Sequence, residues 1–212
     1  MDSVYELRHY TLHPGQRDVL IDIFERGFVE TQEAVGMRLP GMFRDLGDPD
    51  RFVWLRSFPS MAARPDALTA FYTGPAWKAN RDAANGTMID SDNVLLLRPT
   101  GPAAGFALDG LARPPVGAAL ASASTVVATL HYLASPVDDS LIALFDKVPA
   151  LARLCTLYEE NNFPGLPVRT GEHVLISFAR DEPALAPLPE WDERVVRTEV
   201  LRLAPTARSL LR

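Results

Sequence analysis

The chain has 212 residues, 47% hydrophobic and 23% charged, with 21 basic against 27 acidic side chains and a formal net charge of −6. These values fit a soluble globular protein of one large or two small domains. Without a basic face, nucleic acid is not expected as a partner. No apolar run nears the roughly 18 residues of a membrane span, so no membrane partner is expected either. The start lacks the basic and apolar regions of a secretory signal, and one cysteine, Cys155, excludes an intrachain disulfide and a cysteine-based zinc cluster. A cytoplasmic location is expected. The many proline pairs fit a high-GC bacterial coding sequence.

Residues 4–12 are rich in β-formers and alternate, which predicts a strand that His13-Pro14-Gly15 breaks. Residues 15–35 then carry Val19, Leu20, Ile23, Phe24, Gly27 and Phe28 at the spacing of a helix lying on a sheet. Short strands at 42–46 and 51–58 flank the turn Gly47-Asp48-Pro49-Asp50 and predict a hairpin. A helix follows Ser60, is interrupted at Gly74-Pro75, and restarts with Pro75 at its first position, carrying Trp77 and Lys78 to Asn85-Gly86. Residues 93–98 predict a buried strand, which completes the order β-α-β-β-α-β.

Residues 101–123 are rich in Gly, Ala and Pro and read as a connection between copies. A shift of 122 positions then lays His9-Tyr10 on His131-Tyr132, Pro14 on Pro136 and Val19-Leu20 on Leu141-Ile142. The second copy predicts a strand from 124 or 125 to 133, and a helix over 137–154 that Pro149 bends or breaks late. A hairpin of 155–159 and 172–178 spans the loop at 161–165, and a last strand covers 194–203. A helical turn is expected at 205–212, and three prolines in 181–189 shorten or remove the second helix of this copy.

The expected fold is therefore α+β: two tandem ferredoxin-like repeats, 1–100 and 124–212, whose sheets bury their bare faces as one intrachain barrel, a pseudo-dimer. Open edge strands and the thinned second helix layer lead to the expectation of a homodimer.

The runs Tyr5-Glu6-Leu7-Arg8-His9-Tyr10-Thr11-Leu12-His13-Pro14-Gly15, Asp45-Leu46-Gly47-Asp48-Pro49-Asp50-Arg51 and Tyr72-Thr73-Gly74-Pro75-Ala76-Trp77-Lys78 resemble the NIPSNAP family. His9 departs from the small or hydroxyl residue of that pattern. The resemblance covers about the first hundred residues and implies the dimeric α+β barrel superfamily. That superfamily includes cofactor-free monooxygenases, isomerases, decarboxylases and haem-binding enzymes, so haem stands as an alternative to the expectation of no cofactor and no metal.

His9 and His131 are the candidate catalytic pair, as a general base or as an axial haem ligand, with a packed, backbone-bonded histidine as the plainer reading. Strand alternation lets either the two histidines or Tyr10 and Tyr132 line a central cavity, not both sets. Arg8 shares the face of Tyr10, and if buried needs an anion such as Glu6, Glu159 or a ligand carboxylate. Tyr5 shares the face of His9. Trp54 and Trp77 offer amphipathic walls, and Arg44 or Arg81 a carboxylate contact. Three functions follow: a small-molecule enzyme acting on an apolar or aromatic compound in the barrel cavity, a haem-binding barrel enzyme, and a non-catalytic oligomeric scaffold. A barrel filled with Leu, Val and Phe would leave no room for a reaction inside it.

Overall fold

The computed structural model describes residues 3–119, 124–182 and 193–212. Eight strands, all paired antiparallel, close into one barrel. They are β1 (Val4–Leu12), β2 (Met42–Asp45), β3 (Arg51–Phe58), β4 (Met88–Pro99), β5 (Val126–Leu133), β6 (Ala152–Thr156), β7 (Val174–Arg180) and β8 (Val195–Pro205). Their order around the barrel is β1-β3-β2-β8-β5-β7-β6-β4. Each copy supplies a four-stranded sheet in ferredoxin-like order, β4-β1-β3-β2 and β8-β5-β7-β6. Two seams join them, Arg44↔Ala204 between β2 and β8 and Arg98↔Cys155 between β4 and β6. The sheets thus meet edge to edge, which removes the open edges expected from the sequence.

The helices α1 (Arg17–Gly27), α2 (Val29–Glu33), α3 (Arg64–Thr73) and α4 (Pro75–Asn85) cover the outer face of the first sheet. The single helix expected over 15–35 is broken at Phe28. Gly27 passes close to α4, where an added Cβ would lie 3.2 Å from Asn80 Nδ2. A glycine there permits the approach and weakens the helix. Outside the second sheet lies α5 (Asp139–Phe145), started by the Asp138 carboxylate accepting from the Leu141 amide at 2.9 Å. It stops well short of the expected 154, because a residue before proline, here Val148, avoids the helical region. The chain then enters β6 at Ala152, three residues earlier than expected. The shortened helix expected at 181–189 falls largely on 183–192, outside the described residues.

Two connecting segments are structural. Phe106 and Leu108 of the expected linker are buried in the barrel core, Phe106 with ring centroids 5.8 Å from Tyr5 and 5.0 Å from Phe178. The C-terminal residues form turns rather than a helix. They place Leu211 in the same core, while Arg208 is buried and bonds to the backbone of Pro114 and to Glu25 and Glu30.

The barrel interior is packed by Leu7, Phe43, Leu55, Leu97, Leu130, Leu154, Ile176 and Phe178 among others, from all eight strands. In β1 the inward residues are odd-numbered, as Tyr5 and Leu7 show. In β5 they are even-numbered, as Val126, Ala128, Leu130 and Tyr132 show. The 122-residue echo is an even shift, so it pairs an inward position with an outward one. His9 therefore points into the barrel, whereas His131 points outward beneath α5, its ring 6.3 Å from Phe145. One histidine and one tyrosine share the interior, in place of either matched pair.

Candidate small-molecule cavity

A cavity of about 360 Å³ lies outside the barrel, between the outer face of β1, β3 and β4 and the helices α1, α2, α3 and α4. Alternation on β1 sends Glu6, Arg8 and Tyr10 outward, and on β3 Phe52, Trp54, Arg56 and Phe58. Helices cover this face, so it is apolar apart from a few buried charges. Phe24 and Phe28 of α1 and its continuation, Phe71 and Tyr72 of α3, and Trp77 and Ala84 of α4 supply the opposing wall. The rings pack edge to face, with centroids 4.7 Å apart for Phe24–Trp54 and 4.8 Å for Tyr72–Trp77. Residues from the β6–β7 connection of the second copy close the cavity. Phe163 stacks on Tyr72 at 6.4 Å, and Asn161 and Asn162 each accept from Arg64 Nη1 at 2.9 Å.

Beneath this wall sits a fully buried charge cluster. Glu6 accepts from Arg8 Nη1 at 2.5 Å, Arg56 Nε at 2.7 Å and Arg64 Nε at 2.8 Å, and all four residues are at most 2% exposed. Burial alone would raise the Glu6 carboxyl, but Arg56, Arg8 and Arg64 outweigh it and hold the group at about 2. Arg8 Nε donates to the Tyr10 hydroxyl at 3.0 Å, and Arg56 Nη1 reaches the Tyr72 hydroxyl at 3.4 Å. The Arg8 guanidinium lies 5.5 Å from the Trp54 ring, as does that of Arg56. Burial pushes Tyr10 above the usual phenol value, with Arg8 opposing, so its proton stays on.

Arg8, Tyr10, Trp54 and Trp77, singled out in the sequence as binding residues, all line this cavity. The others do not. Tyr5 is inside the barrel against Phe106. Arg44 pairs with Asp18 at 2.8 Å on β2. Tyr132 lies at the opposite phase, bonded to Arg169 and Glu199 at 3.3 Å.

Neither His9 nor His131, the expected catalytic pair, lines this cavity. His9 faces Asn93 across the β1–β4 pair, at the barrel end that Arg169 and Tyr132 also occupy. Burial, then Arg51 and Arg169, lower it to about 3. A base so weak is poorly matched to proton abstraction near neutral pH. His131 has Nδ1 3.2 Å from Thr198 Oγ1 under α5, and burial lowers it too. Cys155 is buried, its thiol pushed up to about 11 chiefly by burial. Among the described residues no group of three or more His, Cys, Asp or Glu could hold a metal ion, and no helix is long and apolar enough to cross a membrane.

Sequence reasoning offered Glu6 as a partner for Arg8 but did not single out Arg56, Arg64 or Phe163. Arg56 could have been found from its register: it sits directly across from Glu6 on β3, on the same face. Arg64 and Phe163 join the site from distant loops and helices, which no local pattern reports.

This arrangement, a closed antiparallel barrel of two ferredoxin-like units with a ligand-sized cavity under one helix layer, defines a single-chain α+β barrel protein. Residues 5–103 match the NIPSNAP family model. A candidate monooxygenase from Lactobacillus acidophilus has the same fold over its whole length, with a TM-score of 0.53, 13% identity, and coverage of 99% of this chain and 97% of that one. A NIPSNAP family protein of unknown function from Agrobacterium tumefaciens matches 46% of this chain and 88% of its own, at 20% identity and a TM-score of 0.43. An uncharacterized NIPSNAP-like domain protein from Burkholderia xenovorans matches 45% and 83%, at 23% and 0.41. No curated protein matches the chain.

Proposed function

We propose that the protein binds a small, largely aromatic molecule in the cavity outside the first sheet and acts on it without a cofactor, as a monooxygenase, isomerase or cyclase would. The carrying observation is the wall itself: seven aromatic rings around one polar corner formed by Arg8 and Tyr10. Flat apolar walls bind a planar ligand, and the polar corner fixes its orientation. An oxygen of the ligand placed there meets the Tyr10 hydroxyl, which Arg8 polarises by donating to it. That pair would stabilise negative charge developing on an enol or phenol oxygen. No histidine or carboxylate lines the cavity among the described residues, so this reading replaces a histidine base with oxyanion stabilisation. The haem alternative fares worse on the same ground, since no histidine lines the cavity among the described residues.

The test is a tryptophan-fluorescence titration with naphthalene derivatives, read through Trp54 and Trp77, alongside native mass spectrometry of gently purified protein. Saturable quenching in the wild type and its loss in Ala84→Leu, which fills the cavity, are expected. Equal quenching in the filled variant, its fold verified by circular dichroism, would refute the site. Self-association belongs to the same proposal, although the closed barrel leaves no sheet edge to drive it. Light scattering should find twice 23.3 kDa, and a species of 23.3 kDa alone refutes it.

A further inference from the structure

The buried charges under the cavity do not balance. Three guanidiniums, Arg8, Arg56 and Arg64, are buried around one carboxylate, and Glu6 is the carboxylate they are paired with among the described residues. Two positive charges are left over in a region walled by aromatic rings. Removing an ion from water costs several kcal/mol unless an opposite charge and hydrogen bonds compensate. Cation–π contacts recover part of that cost for all three arginines, and the amide oxygens of Asn161 and Asn162 do so for Arg64. Arg8 is the one that lines the cavity.

The polar atoms around Arg8 point the same way. Arg8 Nη2 makes only a long 3.5 Å contact to the Ser91 carbonyl. The Tyr10 and Tyr72 hydroxyls each accept from an arginine, and neither donates to an acceptor among the described residues. Both line the cavity, so two O–H groups and a guanidinium edge present donors to it, with no carboxylate in its wall. Burial first, then the Arg56 and Arg8 charges, lowers Arg64 below its ordinary value against the pull of Glu6, whereas Tyr10 and Glu6 hold Arg8 above its own despite burial.

From the surplus and the donors that Arg8, Tyr10 and Tyr72 turn to the cavity, we propose that the ligand is an aromatic oxyanion, its carboxylate or ionised enol or phenol oxygen seated between Arg8, Tyr10 and Tyr72. This rests on the cavity being the binding site, and it adds charge as the feature that selects the ligand. Donors committed to an anion exclude cations and disfavour neutral isosteres, since a neutral group cannot offset the surplus.

Three matched probes test it: 2-naphthoate, 2-naphthamide and 2-naphthol, with Kd measured by fluorescence and by calorimetry at low and high salt. Wild-type protein should bind the carboxylate about tenfold or more tightly over the amide, as hydrogen bonds to a charged group contribute about 1.5–3 kcal/mol. Arg8→Gln should erase that ratio, because it removes the charge. Tyr10→Phe keeps the ring and should cut the ratio several-fold, which holds the test open if Arg8→Gln fails to fold. A phenol that binds better as pH rises identifies an ionised hydroxyl as the source; a carboxylate preference flat with pH identifies an acid. Equal affinity for carboxylate, amide and neutral naphthol overturns the oxyanion while leaving the cavity reading in place. Binding of none of them overturns the cavity reading, and this inference with it.

Discussion

Replacing Glu6 by Gln should be the most damaging single polar change in the molecule. It removes the one anion that three buried guanidiniums share, at 2.5 to 2.8 Å, and leaves their charges to repel one another. Breaking a buried pair by deleting one partner costs about 3–5 kcal/mol. The carboxyl itself gives a consistent figure: moving from 4.5 to about 2 corresponds to roughly 3 kcal/mol of folding free energy. Because the folded value is depressed, that stability is present above pH 4.5 and is lost as pH falls towards 2. Urea unfolding followed by circular dichroism at pH 7 should place Glu6→Gln about 3–5 kcal/mol below wild type. The gap should narrow as wild-type Glu6 protonates. Adding Arg56→Met should recover part of the loss, since it removes one of the stranded charges. A Glu6→Gln protein within about 1 kcal/mol of wild type at pH 7 would refute the cluster as the organiser of this face.

Three further outcomes are expected. His9 takes up its proton only near pH 3 in the folded state but near 6.5 when unfolded. Wild type should therefore lose stability as pH falls from 6.5 to 4.5, and His9→Leu should flatten that slope by about 1.4 kcal/mol per pH unit; an unchanged slope in denaturant titrations refutes the burial. Phe106→Ala should cost about 3–5 kcal/mol in urea unfolding, as for a core ring, and a cost below about 1 kcal/mol would return it to the role of a surface linker. Phe163→Ala should weaken aromatic probe binding by about fivefold to tenfold with under about 1 kcal/mol of stability change, measured by fluorescence titration and unfolding together; unchanged affinity would remove the loop from the site.

The strand and helix order was readable because its punctuation is local: His13-Pro14-Gly15 ends β1, Asp48-Pro49 turns the hairpin, and Pro75 restarts a helix. Facing direction was not readable. Every β1 residue but one is buried, since one side packs into the barrel and the other under helices, and even the charged Glu6 and Arg8 of the outer side are buried. The echo of His9-Tyr10 in His131-Tyr132 invited an equivalence that fails because inward positions are odd-numbered in β1 and even-numbered in β5, which the sequence alone does not expose. The same blindness to long-range contact hid Phe106 in a Gly- and Pro-rich run. Arg8, Tyr10, Trp54 and Trp77, singled out from the sequence, line one cavity, yet the sequence reading looked for it inside the barrel rather than outside it.

The loop that carries Asn161, Asn162 and Phe163 over the first copy's cavity has a wider meaning. An assembly of two identical chains must repeat each insertion, so a lid lengthened over one cavity is lengthened over both. Joining the copies in one polypeptide lifts that obligation. Here the connection between β6 and β7 spans residues 157–173, whereas its counterpart between β2 and β3 spans 46–50. One half can thus keep the chamber while the other is reshaped as its cover. Symmetry survives in the barrel, where closure demands it, and is given up at the periphery, where a single chamber is served better by unequal partners.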